Sequence, residues 1–467
     1  MALFGALALV IFVLVRPMEI WPELAQLMPL ELLAVFTALA LGWESFTKGR
    51  TRSSSPQLIW LFAFLLWCFA ATLAKLGADT GLSVMRTVSL GPLFMLLVMF
   101  ALSSVGRLRA MAAILIGLLA LISVVAIHQA AQPRQCLEIH GDDDDTTFVA
   151  DGRECTGSST CEKDGARPGT DYRCERIGLL RTYSAGGRVS WRGQLGDPNE
   201  LAVYMGIVLP FLFWIAAKRE LTSPEKRVHR TAVVVAAVAT GLLGLWTIVL
   251  TQSRGGQVVV CAVVLMVFVR RFGPWSILAA LPLLLPVILL SGREGAEADS
   301  SSLERANILA EGLELARANL FLGVGALQFS KEISSGFTAH NSYLLVAAEL
   351  GIPGCVLWCG LLWMTIKIPV SIVRKLPEGL DPSIIGFAEA LVVSTIGLLV
   401  GVFFLSFTYK QIFLVWLGLA GGLYGTVRRA CPDFRIQTTR RDVLGIIAFA
   451  AIALVAVRVA SALAGRG

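Results

Sequence analysis

Apolar runs long enough to cross a bilayer recur along nearly the whole chain. The hydrocarbon core offers the backbone no hydrogen-bond partners, so each crossing needs about 20 mostly apolar residues in a helix. Thirteen segments meet or approach this requirement, although the first and the eighth are short. They lie near residues 3–16, 28–44, 57–74, 83–103, 109–128, 198–217, 231–250, 256–270, 273–291, 352–372, 385–405, 411–428 and 442–462. The sequence therefore predicts an all-α polytopic membrane protein with about 12 to 13 transmembrane helices.

Composition supports this class, because only 16% of the residues are charged and 56% are hydrophobic. A soluble protein carries about 25% charged residues. The first apolar run, Leu3 to Val15, ends at Arg16 without a convincing small-residue cleavage site, so we interpret it as a span and not as a cleaved signal.

Lysine and arginine concentrate in alternate connections between the predicted spans, as they do on the cytoplasmic side of a membrane. These basic connections are residues 48–52, 107–109, 218–230, 270–271, 374–375 and 428–441. The pattern predicts a cytoplasmic N-terminus and two long outward segments. It also accounts for much of the net charge of +7, so we do not expect nucleic acid as a partner.

Five regions follow from the spans and the outward segments. In order, they are an N-terminal five-span bundle (1–128), a first outward loop (129–197), a four-span central bundle (198–291), a second outward loop (292–351) and the C-terminal spans (352–467).

The first outward loop contains four of the nine cysteines, namely Cys136, Cys155, Cys161 and Cys174. An even cluster in an oxidising compartment predicts two disulfides, and three pairings are possible. A zinc site is the competing interpretation. It is disfavoured because His140 is the only histidine of the loop and no CxxC pair accompanies it.

Lysine and arginine are disfavoured on the outward side of a membrane. Outward-facing arginines beside helix ends therefore need another explanation. Arg254 is followed by Gly255 and Gly256, and glycines let backbone N–H groups approach phosphate oxygens that a guanidinium binds. The competing interpretation, equally supported by this motif alone, is an arginine that reaches lipid headgroups beside a simple turn. Arg192, just before the sixth span, is a second candidate anion ligand or a solvated loop residue.

His340 precedes Asn341, Ser342 and Tyr343 near the end of the second outward loop. An imidazole near neutral pH can take a proton from an acceptor hydroxyl. A lone histidine is more often structural, so the residue types alone leave both roles open.

The second outward loop also predicts an amphipathic helix on the membrane surface. Ser301 and Glu304 have the spacing of a capping box at its start. The predicted apolar stripe is Leu303, Ala306, Ala310, Leu313, Ala316 and Leu320. The helix could cover a lipid-substrate site or simply pack on the bundle.

A polysaccharide transporter or flippase is the alternative from a different class. Transport sites use ionisable residues at mid-membrane, and the candidates here are Arg86 and Glu389. Two isolated charges of this kind can pair with each other. The distinctive polar motifs lie instead near the outer surface, which disfavours transport.

Five motifs, in order, resemble the bacterial O-antigen ligase and polymerase superfamily of membrane glycosyltransferases. They are Arg192 with Gly196–Asn199, Ser253–Gly256, Asn319–Gly325, His340–Leu344 and Ala348–Gly354, and together they cover residues 190–360. The resemblance implies a GT-C-like helical bundle in the bacterial inner membrane, with a periplasmic active site. It also implies transfer of a glycan from undecaprenyl diphosphate, without a cofactor or metal.

In such an enzyme, Arg192 and Arg254 would hold the diphosphate and His340 would act in catalysis. The predicted substrate-binding set is Arg192, Arg254, Gly255, Gly256, Asn341 and Tyr343. The cysteine insertion and the last span depart from the ligases, which favours a polymerase that joins repeat chains. The alternatives are a ligase that transfers to lipid A core and a protein O-oligosaccharyltransferase, so the acceptor is a glycan, a lipid or a protein.

Overall fold

The computed structural model describes residues 1–48, 54–140, 147–163, 165–216, 224–278, 296–375 and 380–464. The first five helices are α1 (Ala2–Val15), α2 (Pro29–Lys48), α3 (Gln57–Leu76), α4 (Ala78–Ala101) and α5 (Val105–Ala131). A short helix α6 (Ser158–Cys161) precedes α7 (Pro198–Ala216), α8 (Pro224–Leu250), α9 (Arg254–Phe272) and α10 (Ala296–Ala318). The rest are α11 (Phe329–Glu332), α12 (Ser342–Lys375), α13 (Pro382–Gly401), α14 (Gln411–Ala430) and α15 (Arg440–Ala464).

Eleven helices in the described part of the chain are long and apolar enough to cross a membrane. They are α1–α5, α7–α9, α12, α13 and α15, which correspond to eleven of the predicted spans. The predicted ninth span, 273–291, lies largely outside the described residues. The helical multi-pass membrane fold is thus confirmed.

Helix α14 corresponds to the twelfth predicted span but is not among the eleven. Most of its side chains are buried, and it packs closely against α4. A Cβ atom at Gly418 would lie 2.8 Å from the carbonyl oxygen of Met95. Small residues allow such close approach, so this helix combines glycines with apolar residues and lies inside the bundle.

Helix α12 begins at Ser342, ten residues before the predicted start of the tenth span. Gly351 has a left-handed φ of 69°, so the helix is kinked at this residue and continues beyond it. The predicted boundary coincides with this kink and not with the start of the helix. Glu349 consequently lies inside the helix.

The basic residues gather at one end of the bundle and bind neighbouring helices there. Arg107 donates to the Glu44 carboxylate at 2.9 Å, and Lys367 lies 2.6 Å from an Asp442 oxygen. The opposite end carries the segment 132–197 and residues 319–341. Which side of a membrane each end faces stays a prediction.

The first long loop contains a small three-stranded antiparallel sheet, which the sequence analysis did not predict. Strands β1 (Arg134–His140), β2 (Thr147–Glu154) and β3 (Tyr172–Arg176) lie in the order β2-β1-β3. Cys136 pairs with Cys161, and Cys155 pairs with Cys174. The two predicted disulfides are confirmed, and one of the three possible pairings is selected.

The predicted surface helix exists as α10, but its start and its buried face differ from the prediction. The helix begins five residues before Ser301, which therefore does not cap it. Ala306 and Ala316 are buried, whereas Leu303 and Leu320 are 49% and 55% exposed. Helix α10 packs against α12 and α15, and small residues on its inner face permit that contact.

Arg86 and Glu389, the two charges considered for a transport site, do not pair with each other. Glu389 lies 3.5 Å from Arg270 of α9, and Arg86 is exposed on α4. The two charges lie on helices that do not bring them together.

Candidate functional site

Two of the predicted motifs meet where α7 and α9 begin. The Ser253 hydroxyl donates to Asn199 Oδ1 at 2.8 Å, and the Asn199 side-chain amide donates to Asp197 Oδ1 at 2.7 Å. Ser253 also caps α9, because its Oγ accepts the N–H of Gly256 at 3.0 Å. Arg254 is the first residue of α9 and is exposed, so its guanidinium is presented at this junction.

The two glycines after Arg254 have a packing role that differs from the predicted one. The N–H of Gly256 donates to the Ser253 cap in this structure, and the predicted contact of the two glycines with phosphate oxygens stays a prediction. A Cβ at Gly256 would lie 2.3 Å from the Ala202 Cβ, and one at Gly255 would lie 3.2 Å from the Phe404 Cβ. The glycines therefore let α9 approach α7 and the segment after α13.

His340 lies immediately before α12, and its backbone has a left-handed φ of 47°. That conformation is uncommon for residues other than glycine and is often found at functional sites. Asn341 anchors the next position: its Oδ1 accepts the N–H of Leu344 at 2.9 Å, and its Nδ2 donates to the carbonyl of Phe403 at 2.7 Å. Asn341 is thus the cap of α12, and its side chain is 1% exposed.

Tyr343, the other predicted substrate contact on this motif, is a buried packing residue. Its hydroxyl donates to the carbonyl of Leu399 at 3.2 Å, and its ring packs edge-on against Trp358. Asn341 and Tyr343 therefore fix the position of His340, and neither presents a free polar group. The substrate contacts predicted for these two residues stay predictions.

Segment 402–410, which joins α13 to α14, connects these motifs and was missed by the sequence analysis. Phe403 holds Asn341 through its carbonyl, and the neighbouring Phe404 lies against Gly255. His340 and Arg254 thus flank the same short segment. The signal that could have revealed it was Lys410, a cation beside a span on the predicted outward side, where lysine is disfavoured.

Charged groups on three other elements surround the His340 ring. Burial lowers the pKa of His340, Arg305 of α10 and Lys410 lower it further, and Asp197 opposes them. A lowered pKa leaves the imidazole neutral at pH 7, because the ordinary histidine value is about 6.5. The ring can therefore accept a proton.

Lys410 is itself held by Glu200 on α7. The ammonium group forms a short ion pair with the Glu200 carboxylate, which is buried. In the same region, the N–H of Ile412 donates to Gln194 Oε1 at 2.9 Å. These contacts fix the start of α14 to the segment that leads into α7.

Arg192 lies in a separate cluster near the end of α1. It is 6% exposed, and its Nε and Nη2 atoms have no hydrogen-bond partner within the described residues. Its charged neighbours are Glu19 and Arg181, and burial lowers its pKa. Arginine stays cationic in proteins, and a guanidinium binds oxyanions through such N–H donors, so the predicted anion-binding role of Arg192 stays a prediction.

Two of the remaining motifs, 319–325 and 348–354, pair with each other through the backbone. The N–H of Gly325 donates to the Glu349 carbonyl at 2.9 Å. A Cβ at Gly323 would lie 2.1 Å from the Glu349 carbonyl carbon, so only glycine fits there. These contacts hold the first turns of α12 against the segment that follows α10.

A comparison with known families agrees with this arrangement. Residues 239–359 match the family model described as O-antigen ligase. The match includes Arg254, His340 and the paired glycine motifs, and it excludes Arg192. No curated protein matches the chain.

Proposed function

We propose that the chain is a membrane glycosyltransferase acting on an undecaprenyl-diphosphate-linked glycan, because residues 239–359 match the family model described as O-antigen ligase. The acceptor is a hydroxyl group that reaches His340. The observation that carries the proposal is the placement of His340 and Arg254 on either side of segment 402–410.

In the proposed reaction, the acceptor hydroxyl attacks the anomeric carbon of the donor sugar. Its proton passes to the neutral His340 ring as the new carbon–oxygen bond forms, and the bond from the anomeric carbon to the diphosphate oxygen breaks. Undecaprenyl diphosphate leaves with the bonding electron pair. Arg254, Arg192 and the cations beside His340 stabilise the departing charge as preorganised donors.

We place this site on the periplasmic side of the bacterial inner membrane. Two disulfides lie at the same end of the bundle as His340, and disulfides persist in oxidising compartments. The basic helix ends lie opposite, where the positive-inside bias expects the cytoplasm.

Among the possible acceptors, we favour another lipid-linked repeat chain, which makes the protein a polymerase. The disulfide-linked sheet and α15 are the features that depart from the ligases, and a ligase remains the second candidate because the matched family is described as O-antigen ligase. Gel analysis of a deletion strain separates the two. Loss of a polymerase leaves single repeats on the final acceptor, whereas loss of a ligase leaves long polymer on the carrier lipid.

The assignment of the site is tested with purified protein in detergent, a defined lipid-linked oligosaccharide and candidate acceptors. We expect Arg254→Ala and His340→Ala to abolish transfer while the protein still inserts and folds. Arg271→Ala is the matched control, since Arg271 is an exposed arginine at the other end of α9. Near-normal product from both site variants would overturn the assignment, and the absence of transfer without a membrane gradient would favour a transporter.

A further inference from the structure

Two neighbouring aromatic side chains follow the end of α13 and face different helices. Phe403 shares an apolar surface with Ala451 and Val455 of α15. Phe404 meets the Phe403 ring edge-on, with ring centroids 5.4 Å apart and ring planes at 79°. Its Cβ, Cγ and Cδ2 atoms lie 3.2 Å, 3.5 Å and 3.9 Å from the position of a Cβ at Gly255. Phe403 therefore faces α15, whereas Phe404 lies alongside the first turn of α9.

Phe404 lies between the two motifs that the proposed reaction uses. On one side it contacts Gly255, which directly follows Arg254. On the other side, the residue before it in the chain accepts a hydrogen bond from Asn341, which directly follows His340. The Phe404 side chain is only half-buried, so part of its surface is open at this position.

The proposed reaction brings the first sugar of the donor to the same position. The anomeric carbon of that sugar is bonded to the diphosphate and is attacked by the hydroxyl whose proton passes to His340. A diphosphate at Arg254 and a base at His340 therefore place the sugar ring against the segment that lies between them. The carbonyls of Phe403 and Leu405 already accept hydrogen bonds from the residues at the start of α12, and the Leu405 side chain is buried. The ring of Phe404 is the group that this segment offers to a sugar.

An aromatic ring suits a sugar at this place. A pyranose carries C–H groups on its ring faces and hydroxyl groups around its edge, and an aromatic face is apolar with a negative π cloud that attracts such C–H groups. We propose that Phe404 is a specificity-determining residue that stacks against the first sugar of the donor. This inference rests on the proposed function, because that function supplies the lipid-linked glycan.

The first test separates the sugar from the lipid diphosphate. Phe404→Leu keeps an apolar side chain and removes the ring, and Phe404→Tyr keeps the ring. Phe272→Leu is the control, because Phe272 is 69% exposed at the other end of α9. We expect the Kd for an undecaprenyl-diphosphate-linked glycan to rise about five- to tenfold in Phe404→Leu alone, which is the size expected for the loss of one aromatic contact. The Kd for undecaprenyl diphosphate without a sugar should stay unchanged in all three variants.

A weaker affinity of Phe404→Leu for the sugar-free diphosphate would show that Phe404 only supports the packing of α9 beside Arg254, and it would overturn the inference. Equal losses in Phe404→Leu and Phe404→Tyr, or no loss in either, would overturn it as well. If the wild-type protein transfers glycan and Phe404→Leu behaves identically, the inference fails and the proposed function stands. If the wild-type protein neither binds the donor nor transfers from it, both fail.

A second measurement uses the wild-type protein and does not depend on the folding of a variant. A lipid-linked glycan with a photoreactive diazirine on its first sugar should label the peptide that contains residues 402–410, and excess unlabelled donor should suppress the labelling. The same group on the outermost sugar should leave that peptide unlabelled. Labelling from the first sugar that falls only on other peptides would refute the inference.

Discussion

Replacing Gly323 by alanine tests whether the two paired glycine motifs support the site. Gly323 has a left-handed φ of 68°, and its added Cβ would lie 2.1 Å from the Glu349 carbonyl carbon. Ordinary contact begins at about 3.4 Å, and the atoms in the way belong to the backbone, so no side-chain rotation relieves the clash. The two motifs must therefore move apart.

The expected cost has two parts. The left-handed conformation costs an alanine about 1–2 kcal/mol. Separation also breaks the adjacent hydrogen bonds from Val324 to Ala348 and from Gly325 to Glu349, each with a net value of about 0.5–1.5 kcal/mol. We therefore expect Gly323→Ala to lose about 2–5 kcal/mol of folding stability.

Gly336→Ala is the matched control. Gly336 has a φ of 70°, and nothing lies within 4 Å of its added Cβ, so this variant carries only the conformational cost of about 1–2 kcal/mol. Thermal unfolding of both variants in the same detergent, followed by tryptophan fluorescence, measures the difference. Glycan transfer is measured in parallel, and we expect it to fall only in Gly323→Ala.

Equal decreases in Tm for the two variants would refute this reasoning, because the close approach would then add nothing to the conformational cost. A Gly323→Ala protein that unfolds early but transfers glycan normally would show that the paired motifs stabilise the bundle without positioning His340.

Three other predictions concern charge and covalent structure. Burial and Arg305 lower the pKa of His340, so the acidic limb of the kcat/KM profile should lie below the ordinary histidine pKa of about 6.5. Arg305→Gln should raise that pKa and move the limb to higher pH, and an unmoved limb would contradict this. Lys410→Met leaves the buried Glu200 carboxylate unpaired and should cost about 3–5 kcal/mol, much of which Glu200→Gln in the same chain should restore; additive losses of Tm would argue against the pair. Cys155→Ser opens a crosslink that spans 19 residues, so the sheet should lose about 3 kcal/mol and exchange its amide hydrogens faster, and unchanged exchange would count against a stabilising role.

The helices that contact lipid could be predicted from the sequence because their apolar character comes from the membrane itself. Helix α14 shows the limit of that argument. It contacts other helices, and its glycines, such as Gly418, allow close approach to α4. Its mean hydropathy is therefore a poor guide to its place in the bundle. The sheet of residues 134–176 was not predicted because disulfides stabilise it where a small apolar core cannot, and cysteine spacing does not reveal strand pairing.

The candidate site could be predicted only in part. The scarcity of arginine on the outward side of membrane proteins singled out Arg192 and Arg254, and both lie at the end of the bundle that carries His340. The hydrogen bonds that Gly256 and Asn341 form within the protein were not predicted, because a residue type does not reveal which neighbouring groups it bonds. Segment 402–410 carries no motif of its own, and its importance arises from contacts between elements distant in sequence.

The attachment of α12 to segment 402–410 has a consequence for how substrates reach the reacting atoms. The Ser342 hydroxyl donates to the Leu405 carbonyl at 2.6 Å and accepts the N–H of Phe407 at 2.8 Å, while the Ser342 N–H donates to Val402 at 2.8 Å. All three bonds are buried, and moving His340 would break them together. His340 is therefore held in place relative to segment 402–410, so in the proposed reaction the acceptor hydroxyl moves to the ring while the ring keeps its position.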